Sequence, residues 1–251
     1  MHRCYVNPAE WNESEMFLAA DEEHHLLDVL RGKLGDTVAV FDGKGKEARA
    51  VISEGRSRKT DQKQHKIILK VLSDGKAGKP WLSLTLIQAL PKGKRMDLIV
   101  EKAVELGVTE IIPVISARTI IRLDAAARKE RSERWQRLAL SASRQCGTSW
   151  VPDVRLVCDY SAALQNRSDF DLLLVGSLGS DARPLHDVLN EAGRKTKAGL
   201  IIGPEGDLTQ AENKEAVDAG ATPVSFGKLV LRVETAALYG LSVLAYELGE
   251  K

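Results

Sequence analysis

The sequence contains only three cysteines, Cys4, Cys146 and Cys158. An odd number at these spacings matches neither a disulfide framework nor a metal-ligand motif, so we expect a reducing compartment and no structural metal. No apolar run approaches the roughly 18 residues of a membrane-spanning helix, and the start lacks the apolar core of a signal peptide. These absences predict a cytoplasmic protein with no membrane segment.

The sequence also lacks the motifs of the most common α/β enzymes. No Gly-x-Gly-x-x-Gly opens a helix, no P-loop is present, and no Gly-x-Ser-x-Gly elbow occurs. A loose match at 43–48 is followed by strand-like alternation, so we interpret it as a hairpin turn. The sequence therefore contains no motif for dinucleotide binding, nucleoside-triphosphate binding or hydrolase activity.

The net charge of +1 conceals an uneven distribution. Residues 145–251 include fifteen acidic residues and ten basic ones, whereas residues 118–144 include eight basic residues and three acidic ones. We name the eight the basic stripe: Arg118, Arg122, Arg128, Lys129, Arg131, Arg134, Arg137 and Arg144. Such a stripe on a nearly neutral protein favours binding of a polyanion such as RNA or DNA, and a solvated helix face is the alternative.

The periodicity of the chain changes at a linker-like segment, 73–80. Before it, strand-like segments at 37–41, 48–52 and 66–72 and a short helix at 21–31 predict a small β-barrel. After it, strands alternate with helices, which predicts a mostly parallel sheet covered on both faces. The predicted strands are 82–89, 111–115, 171–176, 200–203 and 223–226, and the predicted helices are 95–107, 131–146, 209–220 and 234–247.

Two motifs lie just after predicted strands of the second region. Residues 201–206 read Ile-Ile-Gly-Pro-Glu-Gly, a buried strand running into a loop with almost no side chains, where a flat ligand can lie against bare peptide groups. Residues 231–236 place Arg232 and Glu234 between apolar runs, where charge is usually paired or functional. Parallel α/β sheets bind ligands in such loops, although a tight turn alone would also explain the glycines.

The order of these residues resembles the RsmE-type RNA methyltransferases of the SPOUT class, which methylate N3 of a uridine in small-subunit ribosomal RNA. The resemblance covers nearly the full length. Its main motifs are Lys94-Arg95-Met96-Asp97, Gln145-Cys146-Gly147, Ile202-Gly203-Pro204-Glu205-Gly206, and Leu231-Arg232 with Glu234-Thr235-Ala236.

The resemblance implies an α/β fold in two domains. Residues 1–74 would form a PUA-like RNA-binding β-barrel, and residues 81–251 a SPOUT domain with a trefoil knot and a mostly parallel sheet. It also implies S-adenosylmethionine as cofactor, 16S ribosomal RNA or the assembled small subunit as partner, and a homodimer that completes each active site.

The resemblance further implies roles for individual residues. The substrate-binding residues would be Arg3, Arg31, Lys94, Arg95, Arg118 and Arg134. The cofactor-binding residues would be Leu174, Gly176, Ile202, Gly203, Pro204, Glu205, Gly206, Phe226, Gly227 and Leu231. Arg232 would stabilise the negative charge that spreads to O2 and O4 of uracil when N3 loses its proton. Pairing of Arg232 with Glu205 or Glu234, to hold the loop, is the alternative.

The chain departs from the family pattern at five positions. Asp207 stands where the family usually has glycine, and Arg144 where it has glutamate. Three positions where the family often has arginine hold other residues, namely Asp28, Thr148 and Leu229. Because these changes leave the cofactor loops nearly intact, they weaken the inference of the exact nucleotide more than that of methyl transfer. Methylation of another RNA or of a ribose 2′-hydroxyl, and RNA binding without catalysis, are the alternatives.

The final predicted helix is apolar over more of its surface than one sheet face requires. We therefore expect it to build the dimer contact, and deep burial within one subunit is the alternative. The apolar positions are Ala237, Leu241, Val243, Leu244, Ala245 and Leu248.

Overall fold

The computed structural model describes residues 1–54, 67–75, 78–165 and 170–249. They form two compact units. The first comprises Met1–Lys79 and Ser143–Val151, and the second comprises Pro80–Ala142 and Pro152–Lys251. The division between Lys79 and Pro80 lies within the predicted linker. The inclusion of residues 143–151 in the first unit had no signal in the sequence.

The first unit is built on a five-stranded sheet in the order β1-β3-β4-β5-β2. β1 pairs with β3 in parallel, and the other pairings are antiparallel. A helix, α1, continues into a π-helical turn at His25–Val29, within the predicted helix 21–31. The elements are β1 (Arg3–Tyr5), β2 (Glu15–Phe17), α1 (Ala20–His24), β3 (Thr37–Phe41), β4 (Glu47–Glu54) and β5 (Ile68–Gly75).

The turn between β3 and β4 confirms the hairpin interpretation of residues 43–48. The Oδ1 atom of Asp42 accepts hydrogen bonds from the backbone N–H groups of Lys44 and Lys46, at 2.7 and 2.9 Å. Gly43 and Gly45 both have positive φ, 72° and 99°, which glycine adopts without strain. Residues 43–48 therefore form no phosphate-binding loop.

The second unit is built on a sheet whose described strands all pair in parallel. Their order is β11-β13-β10-β12-β6-β7-β8, and β9 also pairs with β7. The strands are β6 (Ser83–Ala89), β7 (Glu110–Ile115), β8 (Asp153–Val154), β9 (Cys158–Asp159), β10 (Leu172–Gly176), β11 (Arg183–Pro184), β12 (Lys197–Ile202) and β13 (Thr222–Ser225). The predicted parallel sheet is confirmed.

The described helices that follow β6 along the chain are α2 (Arg95–Glu105), α3 (Ala125–Cys146), α4 (Tyr160–Leu164), α5 (Leu185–Ala192), α6 (Gln210–Asp218) and α7 (Val233–Leu248). The capping box of α6 is formed as predicted, since the side chains of Thr209 and Glu212 each accept the other's backbone N–H. α3 begins six residues before the prediction. There the carboxylate of Asp124 accepts a hydrogen bond from the N–H of Ala127, which satisfies one free donor of the first turn.

The sheet of the second unit separates two apolar clusters. Successive residues alternate between them: Leu86 and Leu200 pack in one cluster, and Ile87 and Ile201 pack in the other. This alternation confirms a sheet covered on both faces.

The helix α7 differs from the prediction in what covers its apolar face. Four positions assigned to a dimer contact are buried within the subunit, namely Ala237, Leu241, Leu244 and Leu248. They pack in the same cluster as Leu200 of β12, so they are unavailable to a second copy. The periodicity located the apolar face correctly, and the sheet of the same chain covers it.

Candidate functional site

A cavity of about 450 Å³ opens in the second unit, beyond the carboxyl ends of β10, β12 and β13. These strands are neighbours in the sheet and run in parallel, so their following loops converge at one edge. The start of α7 and the side chain of Arg95 complete the wall. The volume lies in the usual range for small-molecule and cofactor sites.

Eight of the ten predicted cofactor-binding residues line this cavity: Gly176, Ile202, Gly203, Pro204, Glu205, Phe226, Gly227 and Leu231. Gly176 keeps its interior open, because a Cβ there would lie 3.0 Å from the ring of Phe226 and 3.2 Å from Ile202. Gly203 serves the loop instead. A Cβ at that position would lie 3.1 Å from Leu208, the residue at which the loop turns towards α6.

The other two predicted cofactor residues lie elsewhere. Leu174 is fully buried in the apolar core beneath the loop. A Cβ on Gly206 would point at the side chain of Arg118, at 3.4 Å. Neither residue lines the cavity, because Leu174 precedes the loop and a side chain on Gly206 would face away from it; their role in cofactor binding stays a prediction.

The cavity holds an ion-pair cluster centred on Arg95. Its Nη1 atom lies 2.5 Å from Oε1 of Glu205, and its Nε atom lies 3.5 Å from Oε2 of Glu234. The N–H of Lys92 also donates to Glu205, at 2.9 Å. Burial alone would raise the pKa of Glu205, but the hydrogen bond from Lys92 and the nearby Arg95 outweigh it and lower that pKa. Arg95 thus joins the loop after β12 to the start of α7.

Arg232 lies at the mouth of the same cavity, at the N-cap position of α7. Its side chain is exposed and makes no hydrogen bond or ion pair with any residue that the structure describes. The alternative role for Arg232, as partner of Glu205 or Glu234, is therefore filled by Arg95.

Several cavity residues were missed by the assignment of roles, including Ser177, Leu178, Asp207, Ser225, Leu229 and Val230. Leu229 and Val230 are large apolar side chains exposed at 79% and 77%. Four of the six lie in the loops that follow β10 and β13. Their position in the sequence was thus a usable signal, whereas their side chains matched no motif.

The predicted substrate-binding residues are divided between the two units and differ in what they contact. In the first unit, the guanidinium of Arg3 donates to Glu47 at 3.1 Å and to Ser149 at 3.0 Å, and it stacks over Phe41. Arg3 therefore has partners within its own unit, and its role as an RNA contact stays a prediction. Arg31 is exposed and has a φ of 57°.

In the second unit, the carboxylate of Asp97 accepts hydrogen bonds from both terminal nitrogens of Arg134 and from the indole of Trp135. Arg118 donates to the carbonyl of Gly206 at 2.7 Å. Both arginines therefore bind to their own chain, while Lys94 is exposed.

Four of the eight residues of the basic stripe, including Arg134, pair with carboxylates. Arg128 pairs with Asp159 at 2.8 Å, and Lys129 lies 3.8 Å from Glu133. In the first unit, Arg144 pairs with Glu22, a carboxylate that is almost fully buried. Within the described part of the chain, the stripe residues left with neither a hydrogen bond nor an ion pair are Arg122, Arg131 and Arg137.

Comparison with known proteins connects this cavity to a family. The family model described as an RNA methyltransferase domain matches residues 78–245, which include the whole cavity. The chain belongs to this RNA methyltransferase family. A second model, described as an RNA methyltransferase PUA domain, matches residues 18–60. The predicted PUA-like N-terminal domain is thereby confirmed.

Individual relatives of this RNA methyltransferase extend over most of its length. It is 30% identical to ribosomal RNA small subunit methyltransferase E of Synechocystis sp., over 96% of this chain and 76% of that protein. The Bacillus subtilis protein of the same name is 27% identical, over 92% and 89%. A crystal structure of the Neisseria gonorrhoeae protein of that name, bound to S-adenosylmethionine, superposes with a TM-score of 0.85 and 33% identity, covering 99% of this chain and 98% of that one.

The described residues of the methyltransferase hold neither a metal-ligand cluster nor a membrane-crossing helix. No three His, Cys, Asp or Glu side chains among them are placed to hold a metal ion. None of the helices within those residues is long and apolar enough to span a bilayer.

Proposed function

We propose that this protein transfers a methyl group from S-adenosylmethionine to N3 of a uridine in 16S ribosomal RNA. The observation that carries the proposal is the cavity beyond β10, β12 and β13. It is lined by residues 202–205, 231–234 and 236, which belong to two of the motifs that carry the resemblance. The small-subunit methyltransferases named above and the cofactor bound to the Neisseria gonorrhoeae protein support the substrate and the cofactor.

The cavity fits S-adenosylmethionine in shape and chemistry. Ile202, Phe226 and Leu231 supply apolar surfaces for an adenine ring, and Gly176 leaves the peptide backbone uncovered. Beside its ion pair with Arg95 at 3.5 Å, the buried Oε2 atom of Glu234 accepts no hydrogen bond in the described structure, so it can accept one from a polar group of the cofactor. When bound, S-adenosylmethionine supplies a methyl group on a positively charged sulfur.

Arg232 is the proposed catalytic residue. Its guanidinium is exposed at the cavity mouth and is not neutralised by a carboxylate of the described structure. Loss of the N3 proton leaves negative charge on the uracil oxygens, and a planar fork of N–H donors stabilises such charge without having to reorganise. Arg232 would hold the uracil in this anionic form.

Arg95 is proposed as a positioning residue and not as an RNA contact. Its ion pairs with Glu205 and Glu234 fix the loop after β12 against the start of α7, the two segments that carry the specific motifs. An arginine held by two carboxylates has little charge left for a phosphate. Its effect on the RNA would pass through the shape of the cavity and the placement of Arg232.

The proposed RNA contacts are those members of the predicted substrate-binding set and of the basic stripe that are exposed and have no hydrogen-bond or ion-pair partner within the described structure. In the second unit these are Lys94, Arg122 and Arg137, and in the first unit Arg31. The family match of residues 18–60 to a PUA domain of RNA methyltransferases supports a part of the first unit in holding RNA. A protein that modifies 16S ribosomal RNA acts in the cytoplasm, where small subunits are assembled.

The proposed assembly is a homodimer, with the contact on the exposed face of α7. Tyr239 and Tyr246 are exposed on this helix, and Leu98 is exposed on α2, which packs against α7. Aromatic side chains are enriched at protein interfaces. Tyr246 is 76% exposed, whereas Tyr239 also lies against Phe226 of its own subunit, with 5.7 Å between the ring centroids.

The function is tested by analysing 16S ribosomal RNA from cells with and without the gene for this protein. Nucleoside mass spectrometry is expected to find 3-methyluridine in the first RNA and not in the second, and expression of the wild-type protein is expected to restore it. The Gly78→Val variant should also restore 3-methyluridine, because a Cβ at Gly78 has no atom within 4 Å. The Gly176→Val variant should not restore it, and this difference would tie the effect to the cavity. An unchanged content of 3-methyluridine in the deletion strain would disprove the assignment.

A further inference from the structure

Asp207 occupies a strained position in the loop between β12 and α6. Its φ is 61°, in the left-handed region that glycine adopts freely and that other residues enter at a cost of about 1 kcal/mol or more. The loop itself fixes the residue: its N–H donates to the carbonyl of Pro204 at 2.9 Å, and its Oδ1 accepts from the N–H of Leu208 at 2.8 Å. These two hydrogen bonds hold the carboxylate in one place despite the strain.

That place is the wall of the cofactor cavity, where Asp207 is half-buried. A glycine would form the same turn with less strain and would leave the cavity wall without a charge. The turn uses one side-chain oxygen, which accepts the N–H of Leu208, but an amide oxygen would accept the same hydrogen bond, so the turn does not explain the negative charge. A strained residue at a ligand site calls for a functional explanation in terms of what its side chain contributes.

The side chain contributes the negative charge that tips the balance of the cavity. Five ionisable side chains line it, of which three are carboxylates and two are guanidiniums, a net charge of −1. Arg95 lies against Glu205 and Glu234, whereas Asp207 has no basic side chain within 4 Å in the described part of the protein. The charge of Asp207 is thus available to a ligand.

We infer that Asp207 makes the cavity select for the positive charge on the sulfur of S-adenosylmethionine. This inference rests on the proposed function. S-adenosylhomocysteine, which remains after the methyl group has left, differs by one methyl group and by the loss of that charge. A fixed carboxylate in a half-buried cavity attracts the charged form more than the neutral one. The residue therefore favours binding of the cofactor and release of the product.

The inference is tested by calorimetric titration of S-adenosylmethionine and of S-adenosylhomocysteine into the wild-type protein and Asp207→Asn. Asparagine has the same size and is among the residues that best tolerate positive φ, so the change removes the charge and leaves the turn. We expect the ratio of the two dissociation constants to shift roughly three- to ten-fold against S-adenosylmethionine, the range for one partly exposed charge pair. Affinity for S-adenosylhomocysteine should change little.

Asp218→Asn is the matched control, because it removes one negative charge from exposed residues of α6 outside the cavity lining. Its ratio should equal that of the wild type. Asp207→Gly adds a second readout: it should show the same loss of preference as Asp207→Asn, so that relief of strain and loss of charge are separated.

The outcomes distinguish the inference from the proposed function. If the wild type binds S-adenosylmethionine and Asp207→Asn keeps the wild-type ratio within two-fold, the role of Asp207 is refuted and the function stands. A shift of equal size in Asp218→Asn would also refute it, since the effect would then come from net charge. If the wild type binds neither ligand, the function and the inference both fail.

Discussion

Replacing Arg95 with alanine separates a positioning role from an RNA contact. The substitution leaves Glu205 and Glu234 without the cation that now lies 2.5 and 3.5 Å from their oxygens. These carboxylates are only 30% and 16% exposed, so solvent compensates in part. Two partly buried carboxylates left in this way are expected to cost about 1 to 2 kcal/mol of stability, after allowance for solvent screening.

For a chain of this size such a loss lowers the melting temperature by roughly 2 to 8 °C. The loop after β12 would also lose its tie to the start of α7. We therefore expect the affinity for S-adenosylmethionine to fall about ten-fold, which corresponds to 1.4 kcal/mol. Arg95→Lys should recover only part of both quantities, because one ammonium group cannot reach both carboxylates with the geometry of a guanidinium.

Scanning calorimetry and cofactor titration measure the two effects, and the Glu205→Gln variant completes a double-mutant cycle with Arg95→Ala. If Arg95 acts through Glu205, adding Arg95→Ala to Glu205→Gln should cost less than Arg95→Ala does alone. An Arg95→Ala variant with wild-type melting temperature and cofactor affinity, but weakened RNA binding, would refute the positioning role of Arg95. It would restore Arg95 as the RNA contact that the sequence resemblance implied.

The same cluster gives an expected pH dependence. The pKa of Glu205 is lowered in the folded protein from its ordinary value of 4.5. Its contribution to stability is therefore fully present above pH 4.5 and is lost as the pH falls through the lowered pKa. The stability difference between the wild type and Glu205→Gln should shrink over that acid range, as measured by denaturant unfolding at a series of pH values.

Three further outcomes are expected. Gly176→Val should abolish binding of S-adenosylmethionine in a folded protein, because its side chain would enter the space between Phe226 and Ile202; calorimetry checks this, with Gly78→Val as control. Arg232→Ala should lower the single-turnover methylation rate by roughly 100-fold at saturating cofactor, with nearly unchanged cofactor affinity, and Arg232→Lys should recover part of the rate. Light scattering should give a dimeric mass for the wild type at micromolar concentration and a monomeric mass for Tyr246→Glu, and an unchanged dimer would place the contact elsewhere.

The architecture of the second unit was largely predictable from the sequence. Its long strands carry continuous apolar runs such as Leu172–Val175, and its helices have clear apolar faces, as in α2 with Met96, Ile99 and Val100. The strands β8, β9 and β11 were missed, because two residues carry no periodicity. Helix α5 has a clear apolar face as well, yet it received no prediction.

The location of the site was also predictable, but the partners of its charged residues were not. Residues of the motifs at 202–206 and 231–236 line one cavity. The first motif follows β12 of the parallel sheet, and the second opens α7. The pairing of Arg95 with Glu205 joins residues 110 positions apart in the sequence, and no local pattern specifies such a contact. For the same reason Arg3 and Arg134 resembled RNA contacts in the sequence, although each binds carboxylates of its own unit.

Methyl transfer to N3 of uridine is tested directly by incubating the purified protein with S-adenosylmethionine carrying a labelled methyl group and with small ribosomal subunits from cells that lack the protein. Nucleoside mass spectrometry of the 16S RNA should then find the label in 3-methyluridine, at one site per subunit, and should not find it with the Arg232→Ala variant over the same time. Label on a ribose 2′-hydroxyl or on another base, or no label in RNA from any ribosomal subunit, would contradict methylation of uridine N3 by this protein.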